Sequence, residues 1–158
     1  MATTVKQIEQ GTPVTLLSTE LNSLANNTNV VSSVGGTSGC FNNSQNVANF
    51  DGYVRGKLEL VLGAPSGTVS QSSSLNVYFL RTVDGVNFED GGASVTPAGS
   101  PDAVMPLNAT SLAQRVIQEC LVPVGLFKVL VRNSATGVTL AASGNTLKLL
   151  LSSEMEVG

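Results

Sequence analysis

The stretch Tyr53-Val54-Arg55-Gly56-Lys57-Leu58-Glu59-Leu60-Val61-Leu62 decides the fold class. Val54, Gly56, Leu58, Leu60 and Leu62 fall on one side of an extended chain, and Tyr53, Arg55, Lys57, Glu59 and Val61 on the other. Successive side chains of a strand point to opposite faces of its sheet, so this alternation predicts a strand with one buried and one wet face. Downstream, Leu75 to Val83 repeats the pattern, with Leu75, Val77, Phe79 and Arg81 set against Asn76, Tyr78, Leu80 and Thr82. Asp84-Gly85 then marks a turn, because both residues tolerate a positive φ.

Three more strands are expected late in the chain. Leu112 to Val122 sets Ala113, Arg115, Ile117, Glu119 and Leu121 against Leu112, Val116 and Cys120. Leu126 to Asn133 follows Pro123 and Gly125, and Asn145 to Ser152 closes the domain after a weaker strand at Val138 to Ala141. Upstream, Val14 to Leu17 reads as a short strand, and Val30, Ser32 and Val34 alternate briefly. Leu17, Leu21 and Leu24 recur at helical spacing, so residues 17–25 hold either one or two helical turns or a strand. Residues 35–49 and 63–74 read as loops, and Glu89 to Pro106 as a long surface excursion rich in Gly, Ala and Pro. Seven or eight strands with long connections and no long helix predict an all-β, antiparallel, jelly-roll-like β-sandwich. Residues 1–13 are expected to form an N-terminal arm anchored by Val5 and Ile8, and residues 14–158 one sandwich domain.

Composition agrees with this class. Val (21) and Leu (19) dominate the apolar residues, while Ser, Thr and Asn number 18, 14 and 13. Charged residues are only 12% of the chain, about half the usual share. Hydroxyls and amides must therefore supply the polar surface, as at a surface that meets other protein. The net charge is −3, and the basic residues form no cluster in the sequence, which disfavours a nucleic-acid partner. The absence of His removes His-based triads and His-ligated zinc. Cys40 and Cys120 lie too far apart for a CxxC metal site and are expected as free thiols rather than a bridge. No signal peptide is visible, and Leu121 to Val131 is too short and broken to cross a membrane, so a soluble protein made in the cytoplasm is expected.

The most site-like patch is Asp84-Gly85-Val86-Asn87-Phe88-Glu89-Asp90-Gly91, whose alternate oxygens suit calcium. Its spacing departs from the helical calcium loop, and a hairpin turn with Phe88 tucked behind it explains the same residues. No pair among the eleven acids carries a glycosidase signature. The runs Gly35 to Gly39 and Gly91-Gly92 lack the strand, helix and Lys-Ser/Thr ending of a phosphate loop. Arg81, Arg115 and Arg132 sit one per strand and suit cross-strand or inter-subunit pairs as well as plain solvation. Asn26, Asn42 and Asn108 begin N-x-S/T triplets that chance explains in so Asn-rich a chain. These residues give no catalytic, metal or cofactor site.

Three segments carry a resemblance. They are Thr19 to Asn26; Leu75 to Leu80 with Asp84 to Gly91; and Leu121-Val122-Pro123 leading into Phe127 to Asn133, Gly137 and Leu140 to Leu147. In this order they resemble small virion proteins of tailed bacteriophages, similar to capsid decoration or cement proteins. The resemblance spans about Thr19 to Leu151, but the Asn-rich Gly39 to Asn49 does not fit it. It implies a non-enzymatic sandwich, often a homotrimer, on the outer capsid surface of the virion. The implied partners are the major capsid protein and further copies of itself, without cofactor, nucleic acid or membrane. Candidate contact residues are Val5, Ile8, Arg81 and Arg115. Alternatives are a tail, neck or baseplate sandwich and a virion-surface carbohydrate-binding module; the latter would need exposed aromatics, and the chain has no Trp.

Overall fold

A computed structural model describes residues 5–10, 12–33, 39–43 and 55–157, with side chains over 12–33, 39–41 and 55–152. Ten strand segments follow in chain order among these residues. They are β1 (Val5–Gln10), β2 (Val14–Leu17), β3 (Asn29–Val31), β4 (Phe41–Asn43), β5 (Arg55–Leu62), β6 (Ser74–Arg81), β7 (Ala103–Pro106), β8 (Gln114–Leu121), β9 (Gly125–Ser134) and β10 (Thr146–Val157). A 3-10 turn, Thr19–Leu21, follows β2.

The strands form two antiparallel sheets. In the first, β10 pairs with β5, and β5 with β8; β1 and β2 run in line along the other side of β10. In the second, β9 pairs with β6, and β6 with β7; β3 and β4 run in line along the other side of β9. Taking each broken edge as one strand, the chain weaves eight strands into orders 1-8-3-6 and 2-7-4-5. That is jelly-roll order, with paired Greek keys closing two facing sheets.

The alternations place the core as expected. Leu58, Leu60 and Leu62 of β5 and Leu147 and Leu149 of β10 are buried against Leu75, Val77 and Phe79 of β6 and Phe127, Val129 and Val131 of β9. The Phe79 and Phe127 rings meet edge to face at 5.2 Å, a favoured geometry for aromatic rings. Gly56 interrupts this apolar row because a Cβ there would come within 2.6 Å of Leu149 and 2.8 Å of Val122. A register shift between Leu147 and Lys148 leaves an extra residue in β2, and both Leu16 and Leu17 become buried.

Three local expectations need revision. Val138 to Ala141 is not a strand; Val138 and Leu140 are instead buried as loop residues. β4 lies within the expected 35–49 loop, and β7 lies within the expected excursion. Both are short, and β7 ends in Pro106 at a sheet edge, where a missing N–H is tolerated. The helical alternative for residues 17–25 holds, as a single 3-10 turn. Residues 5–10, inside the expected arm, run as β1 along the last part of β10.

Candidate functional site

The outer face of the first sheet is built by the outward half of the β5 alternation. Arg55, Lys57 and Glu59 stand beside Leu121, Glu119 and Ile117 of β8 on one side, and beside Ser152, Leu150 and Lys148 of β10 on the other. Arg115 reaches Glu59 at 3.2 Å and Lys57 reaches Glu119 at 3.9 Å. Both pairs are exposed ladders between strands and contribute little, under about 1 kcal/mol each. Arg55 and Lys148 have no carboxylate partner among the described residues. Ile117 and Leu121 are 61% and 59% exposed between these charges. A flat, mixed, uncovered face of this kind is suited to meeting another surface.

The second sheet presents a different outer face. Tyr78, Leu80 and Leu130 form a small apolar cluster there, with Val31 and Phe88 packed against it. The chain between β6 and β7, residues 82–102, supplies the cover. Its path is fixed by the Asp84 turn, whose carboxylate accepts from the N–H groups of Val86 and Asn87, the Asn87 side chain and the Thr82 hydroxyl. Those hydrogen bonds, the Asn87 N–H first, hold the Asp84 carboxyl well below its usual range. Gly85 has φ +74°, as expected of this turn. Phe88 stacks under Lys128, with the ammonium 4.5 Å from the ring centre, and Asn29 binds the Gly92 carbonyl and the Thr96 hydroxyl. Arg132 also donates to Thr96. The calcium reading of Asp84 to Gly91 thus meets a turn already satisfied by protein donors.

Where this cover meets the sheet, a cavity of about 230 Å³ is lined by Tyr78, Arg81, Glu89, Asp90, Asp102 and the chain from Pro97 to Ser100. Arg81 pairs with Asp102 and lies 3.5 Å from Glu89. Asp102 also accepts the Phe79 N–H at 2.7 Å, and Glu89 the Arg81 N–H at 2.9 Å, so both carboxylates cap β6 as well as hold its arginine. Sequence reading singled out Arg81 and Glu89 separately, but neither their pairing nor Asp102. Asp102 lies across the whole excursion from Arg81, and no spacing rule links them.

The structure does not gather the four candidate contact residues. Arg81 sits at the end of the second sheet, and Arg115 on the outer face of the first. Val5 and Ile8 belong to β1, opposite Val157 and Glu154, and their side chains lie outside the described residues. Among the described residues no group of His, Cys, Asp and Glu is arranged to hold a metal. No disulfide joins Cys40 and Cys120. Burial, and then the charge of Asp102, pushes the Cys120 thiol up to about 12.

A few of the Asn and Thr residues serve the inside. Asn133 is fully buried and donates to the carbonyls of Leu24 and Val138, while Thr136 donates to its side-chain oxygen. Asn145 donates to Asn22 and the Ala141 carbonyl and accepts the Gly63 N–H. Asn26 and Asn27 accept from the N–H groups of Gly137 and Ala135. Residues 22–29 and 133–145 are thus stapled together at one end of the sandwich. The sequence matches no protein-family model and no curated protein.

Proposed function

We propose that this protein is a non-enzymatic virion component of a tailed bacteriophage that binds the outside of the assembled capsid and reinforces it. The observation that carries the reading is the bare outer face of the first sheet. There Arg55, Lys57, Arg115 and Lys148 alternate with Glu59 and Glu119 around exposed Ile117 and Leu121. Such a face meets a broad protein surface through many modest contacts, wet at the rim, without desolvating an isolated charge. The resemblance of Thr19 to Leu151 to decoration proteins supports the same reading, as does a rigid sandwich stapled by buried amides. Copies that engage several capsomers together turn weak single contacts into firm attachment through effective concentration.

Immunogold labelling of intact particles with an antibody to the purified protein tests this. Gold spread over heads is expected. Gold confined to tails would give the sandwich a tail, neck or baseplate role. Particles without gold would overturn the virion-surface reading and leave glycan binding as the next assay.

A further inference from the structure

We infer that, away from the shell, the outer face of the first sheet is a self-association surface whose occupant is the acidic hairpin 81–90 of a second copy, so that shell and second copy compete for it. The inference rests on the reading of a shell protein that works in several copies. Two surfaces of this one chain are complementary in charge. Among the described side chains of the sheet face, four cations (Arg55, Lys57, Arg115, Lys148) outnumber two carboxylates (Glu59, Glu119), a net of +2 in a chain whose total is −3. Around the hairpin, four carboxylates (Asp84, Glu89, Asp90, Asp102) outnumber Arg81 and Lys128, a net of −2.

Each surface also offers apolar area that none of the described residues covers. Val83 and Val86 at the hairpin tip are 106% and 77% exposed, to meet Ile117 and Leu121 on the face. The hairpin is rigid before contact. The Glu89 N–H donates to the Arg81 carbonyl, the Arg81 N–H returns to the Glu89 carboxylate, and Asp84 locks the tip. A preorganised loop loses little conformational freedom on docking. The face belongs to one sheet and the hairpin to the other, so the contact is heterologous. Every pair of copies leaves one face and one hairpin open, and growth continues past two copies until a ring closes or a filament forms.

The test uses the full chain in sedimentation velocity over a concentration series, without capsids, so its failure stays separate from failure of shell binding. The wild type is expected to form assemblies of more than two copies at ~0.05 M salt and to fall apart toward ~0.5 M, as contacts between charges are screened. Arg55→Glu and Asp90→Arg change exposed side chains and are checked for fold by circular dichroism. Each alone should weaken assembly about tenfold or more, and the double variant should recover it. A wild type that stays monomeric, an assembly that stops at two copies, single variants that assemble like wild type, or a double variant no better than the singles would each overturn the inference.

Discussion

On β6 the residues Val77 to Leu80 are all buried, whereas on β5 burial alternates strictly along Arg55 to Leu60 except for the half-buried Glu59. Both are central strands of the same length in one sandwich, and both pack an inner face of apolar side chains. The difference is what lies outside them. Residues 82–102 roof Tyr78, Leu80 and Leu130, while nothing in the described chain covers Lys57, Glu59 or Ile117. A strand with apolar residues in both phases (Val77-Tyr78-Phe79-Leu80) is thus a strand buried on two sides, even in an antiparallel sheet. A strand whose outward phase is charged is built to stay wet or to meet a partner. The described residues close one side of the sandwich and leave the other open.

The strongest way to break this comparison is to cut into the covered side. Leu130→Ala should cost about 3 kcal/mol, the usual range for a buried leucine, and lower Tm by roughly 6–12 °C. Ile117→Ala on the bare face should stay within about 0.5 kcal/mol. Equal losses in chemical denaturation would mean that the two faces are not different in kind. A gentler incision uses glycines of the cover itself. A Cβ at Gly91 would meet Leu80 at 2.8 Å and Leu130 at 3.2 Å, while one at Gly92 would meet nothing within 4 Å. Gly91→Val should therefore destabilise by about 1–3 kcal/mol and raise binding of an apolar dye, as the cover lifts from the cluster. Gly92→Ala should leave dye binding unchanged.

Acid should act more weakly, on the crossing between the sheets. Glu20 accepts the N–H groups of Ser18 and Ser33 and the Ser33 hydroxyl. Burial by itself would raise its pKa, but these hydrogen bonds outweigh it and bring the carboxyl down to about 2. A folded pKa below the unfolded one contributes stability that is present above about pH 4.5 and fades as pH falls toward 2. Solvent screening keeps this below about 1 kcal/mol. Urea denaturation of Glu20→Gln should show a correspondingly flatter acid limb; an unchanged slope would remove Glu20 from the crossing's energetics. The smallest change in stability is expected for Lys57→Ala, whose 3.9 Å pair with Glu119 is exposed and should cost under about 0.5 kcal/mol.

Strand β8 shows the contrast within a single element. Glu119 and Leu121 point to the bare face, and Cys120 between them points into the core. With its thiol raised to about 12, Cys120 stays protonated far into alkali. Its stabilising effect holds below the ordinary thiol range near 8.5 and is lost as pH climbs toward 12. A thiol reagent at neutral pH should modify Cys120 only at the rate of unfolding. Modification as fast as in the denatured chain would show that this edge strand opens independently.

Several elements were legible because their neighbours did not matter. The apolar phase of β5 lies in the sequence as alternating letters, and the burial of Leu58, Leu60 and Leu62 follows directly. The Asp84-Gly85 turn was legible for the same local reason, since its carboxylate closes on N–H groups two and three residues away. β4 and β7 escaped because each is short and makes sense only beside β9 or β6. The asparagines were legible as polar surface but not as staples, because Asn133 and Asn145 find their partners in loops remote in sequence.

By itself, then, the sequence determined the class of fold and the chemistry of each strand face, because a period of two and a Gly-bearing turn act within a few residues. Tertiary structure alone decided which of those faces would be roofed, which carboxylates would hold Arg81, and which amides would lie inside. Each of those outcomes depends on pairs brought together across the sandwich, and spacing along the chain carries no record of them.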